Sequence, residues 1–217
     1  MNEKFRCLVV DDHPAIRFAL TDTLHRAGAE VVAETGCGQE ALRLIRSLSL
    51  DIVLLDLDIP GMDGLTLLEQ IRPYKYPCKV IVLSGSDSQY LAARVRAAGG
   101  CGYIHKSESL ELLPMVIKLV QSGYPYFTEA AISLCDGNAC DLDTLSSLSG
   151  REFSVFQALA KGDSNCKISA DLNLSPKTIS TYKKRIFEKL QISNIAELIE
   201  IARIETNKSN NGALIAL

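Results

Sequence analysis

The chain has 217 residues, enough for two small domains that each bury a modest core, and 23 Lys and Arg against 26 Asp and Glu leave a net charge of −3. No apolar stretch approaches the roughly 18 residues of a membrane span, and Met1 to Arg6 lead into a strand-like run without a signal-type apolar segment, so a cytoplasmic protein is expected. Seven cysteines without a C-x-x-C pair indicate neither a disulfide framework nor a zinc site and predict free, mostly buried thiols, with Cys135 and Cys140 as the pair open to a redox reading.

The charge is uneven along the chain. Residues 1–150 carry 13 basic and 19 acidic groups, and residues 151–217 carry 10 and 7, so an acidic module precedes a basic one. In the first module the apolar run Cys7-Leu8-Val9-Val10 ends in Asp11-Asp12, and Pro14 opens a helical pattern over 14–27. A second helical pattern covers 39–48. The apolar run Ile52-Val53-Leu54-Leu55 then ends in Asp56, followed by a helical pattern over 65–71. Val80-Ile81-Val82-Leu83 ends in Ser84, and Ser86-Asp87-Ser88-Gln89 has capping-box spacing ahead of a helix over 89–98. Gly102-Tyr103-Ile104-His105 ends in Lys106, and the apolar pattern over 110–122 contains Pro114, which predicts a helix starting late enough to hold that proline in its first turn.

Five β-α alternations predict a doubly wound five-stranded parallel sheet with helices on both faces and functional groups at the C-terminal strand ends. If the runs at 7–10 and 52–56 are neighbouring parallel strands, Asp11, Asp12 and Asp56 converge at one sheet edge. They repel each other there unless a divalent cation sits between them. With the Ser84 hydroxyl and the Lys106 amine nearby, the edge holds the parts required for phosphoryl transfer to a carboxylate. His13 and His105 flank this site, and structural or solvent-facing roles are expected for them.

The order Asp11-Asp12, Asp56, Ser84, Tyr103, Lys106 resembles the receiver domain of bacterial two-component response regulators, a flavodoxin-like fold, here over 1–124. That resemblance implies that Asp56 accepts a phosphoryl group from a sensor histidine kinase. It implies Mg2+ held by Asp12, Asp56 and the backbone carbonyl of Asp58, with Asp11 acting through water. Lys106 would pair with the phosphoryl oxygens, Ser84 would hydrogen-bond the group, and Tyr103 would turn inward behind it. Asp58 and Ser86 depart from the commonest receiver pattern and bear on the lifetime of the phosphoryl group. Asp56-Leu57-Asp58 also has the Asp-x-Asp form of haloacid-dehalogenase phosphatases, but an acidic pair precedes it and Ile59-Pro60-Gly61 follows, so no enzyme is expected.

Residues 125–146 are expected to form a linker, with a short helix over 128–134. In the second module, Ser149 and Glu152 have capping-box spacing, and Phe153, Phe156 and Ala160 share a helical face flanked by Val155 and Leu159. A short helix over 166–172 follows, and Ser175-Pro176 supplies an N-cap and first-turn proline for a helix to Leu190. Two helices joined by a tight turn are a helix-turn-helix. In the second of these, Ile179, Tyr182, Ile186 and Leu190 form an apolar stripe, while Lys177, Ser180, Thr181 and Lys184 face the opposite way. That face suits the major groove of double-stranded DNA, with Lys183, Arg185 and Lys189 on the flanks toward phosphates and Thr178 among the contacts.

Leu148-Ser149-x-Arg151-Glu152, Gly162, Asn165, Lys167-Ile168, Leu172, Ser175-x-Lys177-Thr178-Ile179 and Lys189-Leu190 resemble the LuxR-type output domain, here over 147–208. The whole chain resembles a NarL/FixJ-type response regulator, and Tyr182, where that family commonly has His, is similar to the Bvg/Evg-regulator subgroup. A DNA-binding transcriptional regulator that forms a homodimer is implied, with RNA polymerase as a further partner. Ile195, Leu198, Ile199 and Ala202, on a last helix over 194–206, are the expected dimer contact, and 209–217 is expected to be loose. A regulator that binds DNA or docks without phosphorylation is the alternative.

Overall fold

The computed structural model describes residues 4–72, 78–86, 88–129, 131–132, 145, 147–172 and 174–212, with side chains at all of these except 109 and 204–212. The chain divides into two compact units, residues 1–135 and 136–217.

The first unit is a parallel sheet in the order β2-β1-β3-β4-β5, built from β1 (Arg6–Val10), β2 (Glu30–Thr35), β3 (Ile52–Asp56), β4 (Lys79–Ser84) and β5 (Gly102–His105). Flanking the strands are α1 (Pro14–Arg26), α2 (Gly38–Ser47), α3 (Gly64–Ile71), α4 (Gln89–Ala97) and α5 (Ser109–Gln121), and residues 129 and 131–132 are also helical. The central strands are continuous apolar runs because helices cover both faces, and Cys7 to Val10 and Ile52 to Leu55 are buried throughout. Register then sets the site. Val10 pairs with Leu55, Asp56 with Leu83, and Ser84 with His105, so Asp11, Asp56, Ser84 and Lys106 leave the sheet at nearly one level.

Pro14 stands in the first turn of α1, as expected, but the cap of α4 is Ser88, whose hydroxyl accepts from the Leu91 N–H, and not Ser86. Asp87, within that expected box, lies outside the described residues. Pro114 lies inside α5 and not in its first turn. The helix begins at Ser109 and simply forgoes the bond that a residue-114 N–H would make to the carbonyl of Leu110, at a place where Leu110 is exposed.

The segment expected to be a linker from residue 125 instead joins the first unit. Tyr126 donates its N–H to the Cys101 carbonyl and accepts from Tyr103 N–H, bridging the edge of β5, and Ala131 is buried. Arg96 donates to the Ile132 carbonyl. Residues 133–144, including Cys135 and Cys140, lie outside the described residues. Among the described cysteines only Cys7 is buried; Cys37, Cys78 and Cys101 are half-buried and Cys166 is exposed.

Among the described residues the second unit holds the helices α6 (Gly150–Ala160), α7 (Asn165–Asp171), α8 (Pro176–Leu190) and α9 (Ile195–Gly212). Each of the first three starts on a serine that accepts a backbone N–H, namely Ser149, Ser164 and Ser175, and Ser149 with Glu152 closes the full capping box. Gln191 in the left-handed region (φ 55°) stops α8. Phe153, Phe156, Leu159, Ile168, Ile179, Ile186 and Leu198 are buried within this unit. The last helix runs to Gly212, past the expected end at 206 and into the stretch expected to be loose.

Candidate functional site

Asp11, at the end of β1, and Asp56, at the end of β3, are both fully buried. Lys106, from the end of β5, spans them, with Nζ 2.8 Å from Asp11 Oδ2 and 2.7 Å from Asp56 Oδ2. Burial, only partly offset by Lys106 and reinforced by Asp58 and Asp11, pushes the Asp56 carboxyl up to about 6. Burial acts to lower Lys106, but Asp56 and Asp11 outweigh it and hold the ammonium above its usual range. One ammonium therefore leaves the carboxylates of this edge under-compensated.

Asp11, Asp12, His13 and Asp56 each bring a ligand atom within 4.8 Å of the others. Hard carboxylate oxygens gathered at this sheet edge, with a single ammonium against them, fit a hard divalent cation such as Mg2+. Asp58, expected to contribute through its carbonyl, donates its N–H to Asp56 Oδ1 at 3.0 Å, which orients that carboxylate. Gly64 explains how α3 comes so close to this strand end. A Cβ there would lie 2.3 Å from the Asp56 carbonyl oxygen, and the Gly64 N–H instead donates to the Leu57 carbonyl at 2.9 Å.

Ser84 is buried, and its hydroxyl accepts from the Ser86 N–H at 3.1 Å. Tyr103 donates its hydroxyl to the Ser86 carbonyl at 2.6 Å, so the loop after Ser84 is tied to β5. His105 reinforces that tie through ring-nitrogen contacts to the Gly85 carbonyl (3.0 Å) and the Ser107 hydroxyl (2.6 Å). His13, in contrast, reaches the acids: its Nδ1 is 2.6 Å from Asp12 Oδ1. Arg17 is a further contributor without a motif of its own. Its guanidinium donates to the Asp11 carbonyl at 2.6 Å, and Gly36 leaves the room, since a Cβ there would sit 3.2 Å from both Arg17 Nη1 and Asp12 Cα.

On α8, Lys177, Ser180, Thr181, Lys184 and Arg185 are exposed on one side, and Thr178 and Lys183 are half-buried. Ile179 and Ile186 seat the other side in the core. Ser180 and Thr181 donate their hydroxyls to the carbonyls four residues back, which leaves oxygen acceptors and a methyl outward. Thr178 shares a 2.8 Å hydroxyl contact with the N-cap Ser175, and Lys183 lies 5.5 Å from the Phe187 ring centroid. Lys189 departs from expectation. Its Nζ contacts Glu152 Oε2 at 2.5 Å and the Ser147 carbonyl at 2.9 Å, so it pins α8 to the start of α6 and does not project toward phosphates.

In α9, Ile195 is exposed and Ile199 and Ala202 are half-buried, but Leu198 is wholly buried on a helix that packs against α6, so it is not available as a dimer contact. Exposed apolar side chains also occur in the first unit, with Phe18 on α1 and Met115 and Leu119 on α5.

A doubly wound sheet with this acid, lysine and hydroxyl edge, followed by a capped helix-turn-helix, defines a receiver joined to a DNA-binding output unit. Residues 7–118, more than half of the chain, match the response regulator receiver domain, and residues 146–202 match the luxR family of bacterial regulatory proteins. The chain belongs to the two-component response regulators with a luxR-type DNA-binding domain. It is 36% identical over 201 residues to the virulence-factor positive transcription regulator BvgA of Bordetella pertussis, covering 91% of this chain and 96% of BvgA. It is 31% identical over 196 residues to the DNA-binding transcriptional activator EvgA of Escherichia coli K12, covering 90% and 96%. RcsB of Salmonella enterica serovar Typhimurium, solved on promoter DNA with the phosphomimetic beryllofluoride, matches at TM-score 0.55 and 25% identity, covering 92% of this chain and 98% of that one. RcsB has also been solved as two dimers on two parallel DNAs, at TM-score 0.56 and 26% identity over 93% and 98%. Among the described residues no helix is long and apolar enough to cross a membrane.

Proposed function

We propose that this regulator accepts a phosphoryl group on Asp56 from a sensor histidine kinase and answers by pairing with a second copy on double-stranded DNA in the cytoplasm. A carboxylate oxygen of Asp56 attacks the phosphorus of a phosphohistidine. The P–O bond forms as the P–N bond breaks, and the electron pair leaves on the kinase imidazole. Lys106 supplies positive charge to the transferred oxygens, and the Ser84 hydroxyl donates to one of them. Mg2+ would be held by Asp12, Asp56 and the carbonyl of Asp58, with Asp11 acting through water, and when bound it offsets the charge of the carboxylates and of the phosphoryl oxygens. The observation that carries this reading is Lys106 held 2.7 Å from a fully buried Asp56.

Tyr103 reports the event. Its bond to the Ser86 carbonyl is available to break when the loop closes on the phosphoryl group, which alters the face of α4 and β5. The DNA contacts are Lys177, Thr178, Ser180, Thr181, Lys183, Lys184 and Arg185, with Ile195, Ile199 and Ala202 toward the second copy. The apolar side chains on α1 and α5 favour a receiver contact between copies as well, and the RcsB dimers on DNA support the pairing. Intact-mass measurement after treatment with acetyl phosphate and Mg2+ tests the acceptor: the wild type gains one phosphoryl group and Asp56→Asn gains none. Full labelling of Asp56→Asn would refute it.

A further inference from the structure

The phosphoryl chemistry proposed above makes no use of His13, yet the chain aims its imidazole at the acids. Nδ1 lies 2.6 Å from Asp12 Oδ1 and 3.6 Å from Asp11 Oδ1. The backbone holds it there. His13 is the N-cap of α1 with extended geometry (φ −89°, ψ 112°), and its N–H donates to Asp11 Oδ1 at 2.8 Å. Pro14 follows and disfavours a helical conformation at residue 13, which keeps the backbone there extended.

The distances suit a ligand. Asp11, Asp12, His13 and Asp56 all bring a ligand atom within 4.8 Å of one another. Two ligands of a single ion with bonds of about 2.1 to 2.3 Å are at most about 4.6 Å apart. The nitrogen therefore lies in the same small volume as the carboxylate oxygens, and its 2.6 Å contact to Asp12 Oδ1, a hydrogen-bond distance, has to open to about 3 Å for both atoms to bind one ion. Carboxylates alone suit Mg2+ and Mn2+ about equally in kind, whereas imidazole adds affinity for first-row transition ions and little for Mg2+.

We propose that His13 is a ligand of the cation held by Asp12, Asp56 and the Asp58 carbonyl, and that it biases the site toward a divalent transition ion over Mg2+. The proposal rests on the carboxylate cation site of the preceding section, and names the residue that selects among its ions. The choice of ion, and not only its presence, is then written into the start of α1. The rival role for the same contact is purely orienting, with the imidazole holding the Asp12 carboxylate and touching no ion.

Mn2+ is the probe, bound to the full-length chain. Pulsed electron paramagnetic resonance of the Mn2+ complex is expected to show coupling to an imidazole nitrogen in the wild type and to lose it in His13→Phe. Titrations of both ions should show the preference for Mn2+ over Mg2+ falling severalfold in that variant. Two results overturn the ligand role while leaving the cation site standing: no nitrogen coupling although Mg2+ still displaces Mn2+, or an equal loss of both ions in His13→Phe, which is the orienting role. A different result removes the cation site itself, and the phosphoryl chemistry with it: Mn2+ that Mg2+ does not displace and that Asp56→Asn retains.

Discussion

Asp56→Asn is expected to stabilise the metal-free protein at neutral pH, although it removes one partner of an ion pair. The Asp56 carboxyl is raised from 3.8 to about 6 with the opposing pull of Lys106 already included. About two pK units at 1.36 kcal/mol each amount to roughly 3 kcal/mol. The side chain is fully buried, so solvent screening does not reduce that figure. A folded-state value above the unfolded one means that the native protein binds the proton more tightly. Below about pH 4 both states are protonated and the penalty is absent; it grows between pH 4 and 6 and is complete above. The asparagine carries no such penalty, and Lys106 keeps Asp11 as a partner at 2.8 Å. Urea unfolding of the full chain with chelator present, followed by hydrogen exchange in β1 and β3, should place the variant about 3 kcal/mol above the wild type at pH 7.5 and near it at pH 4. Saturating Mg2+ should narrow the gap by binding only the wild type well. A variant less stable than the wild type at pH 7.5 without metal would mean that the pairing with Lys106 outweighs burial.

Gly64→Ala should cost about 1 to 3 kcal/mol in thermal melts and slow phosphorylation, because a Cβ 2.3 Å from the Asp56 carbonyl oxygen must displace the backbone of Asp56; an unchanged melt would show that α3 can shift freely. Lys184→Ala and Thr181→Ala should each lose about 1 to 3 kcal/mol of discrimination between operator and random DNA, whereas Lys183→Ala should weaken both DNAs alike; titrations at fixed salt giving the reverse ranking would mean that α8 docks in another rotation. Under native conditions alkylation should label Cys166 and spare Cys7, which is fully buried and whose thiol burial pushes up to about 12; peptide mapping that finds Cys7 modified early would place β1 in a readily opened part of the sheet.

How far the sequence could be read depended on which groups carried the information. Asp56 and Lys106 were legible because a fully buried parallel strand is an uninterrupted apolar run, and the polar residue that ends it marks the sheet edge. Strand β2 has no such run. It lies at the sheet border with Glu30 and Glu34 exposed, so its residues alternate weakly and were not singled out as a strand. The pairing of Tyr126 with β5 uses only backbone groups, which every residue has, and left no trace in the side chains.

Two errors came from periodicity and charge, which give a face but not its partner. The stripe containing Leu198 is apolar, yet Leu198 is buried on a helix that packs against α6. Lys189 adds to a basic helix, yet its carboxylate partner Glu152 is 37 residues away in the chain and no local pattern joins them. Arg17 and Gly36 escaped for the same reason, because their meeting beside Asp11 exists only after β1 and β2 have paired.

The most direct test of the central claim is association and DNA binding by one sample before and after beryllofluoride treatment in Mg2+, with Asp56→Asn carried in parallel. Phosphorylation at Asp56 should favour a dimer whose two recognition helices span half-sites about 34 Å apart. Joining two weak contacts raises affinity without new base contacts, because the second becomes intramolecular. The treated wild type should therefore dimerise more tightly in sedimentation runs and prefer a two-half-site DNA over a single half-site, while Asp56→Asn stays at the untreated level. Unchanged association and DNA affinity in a wild-type sample with confirmed modification would contradict the account and leave a regulator that works without the phosphoryl switch.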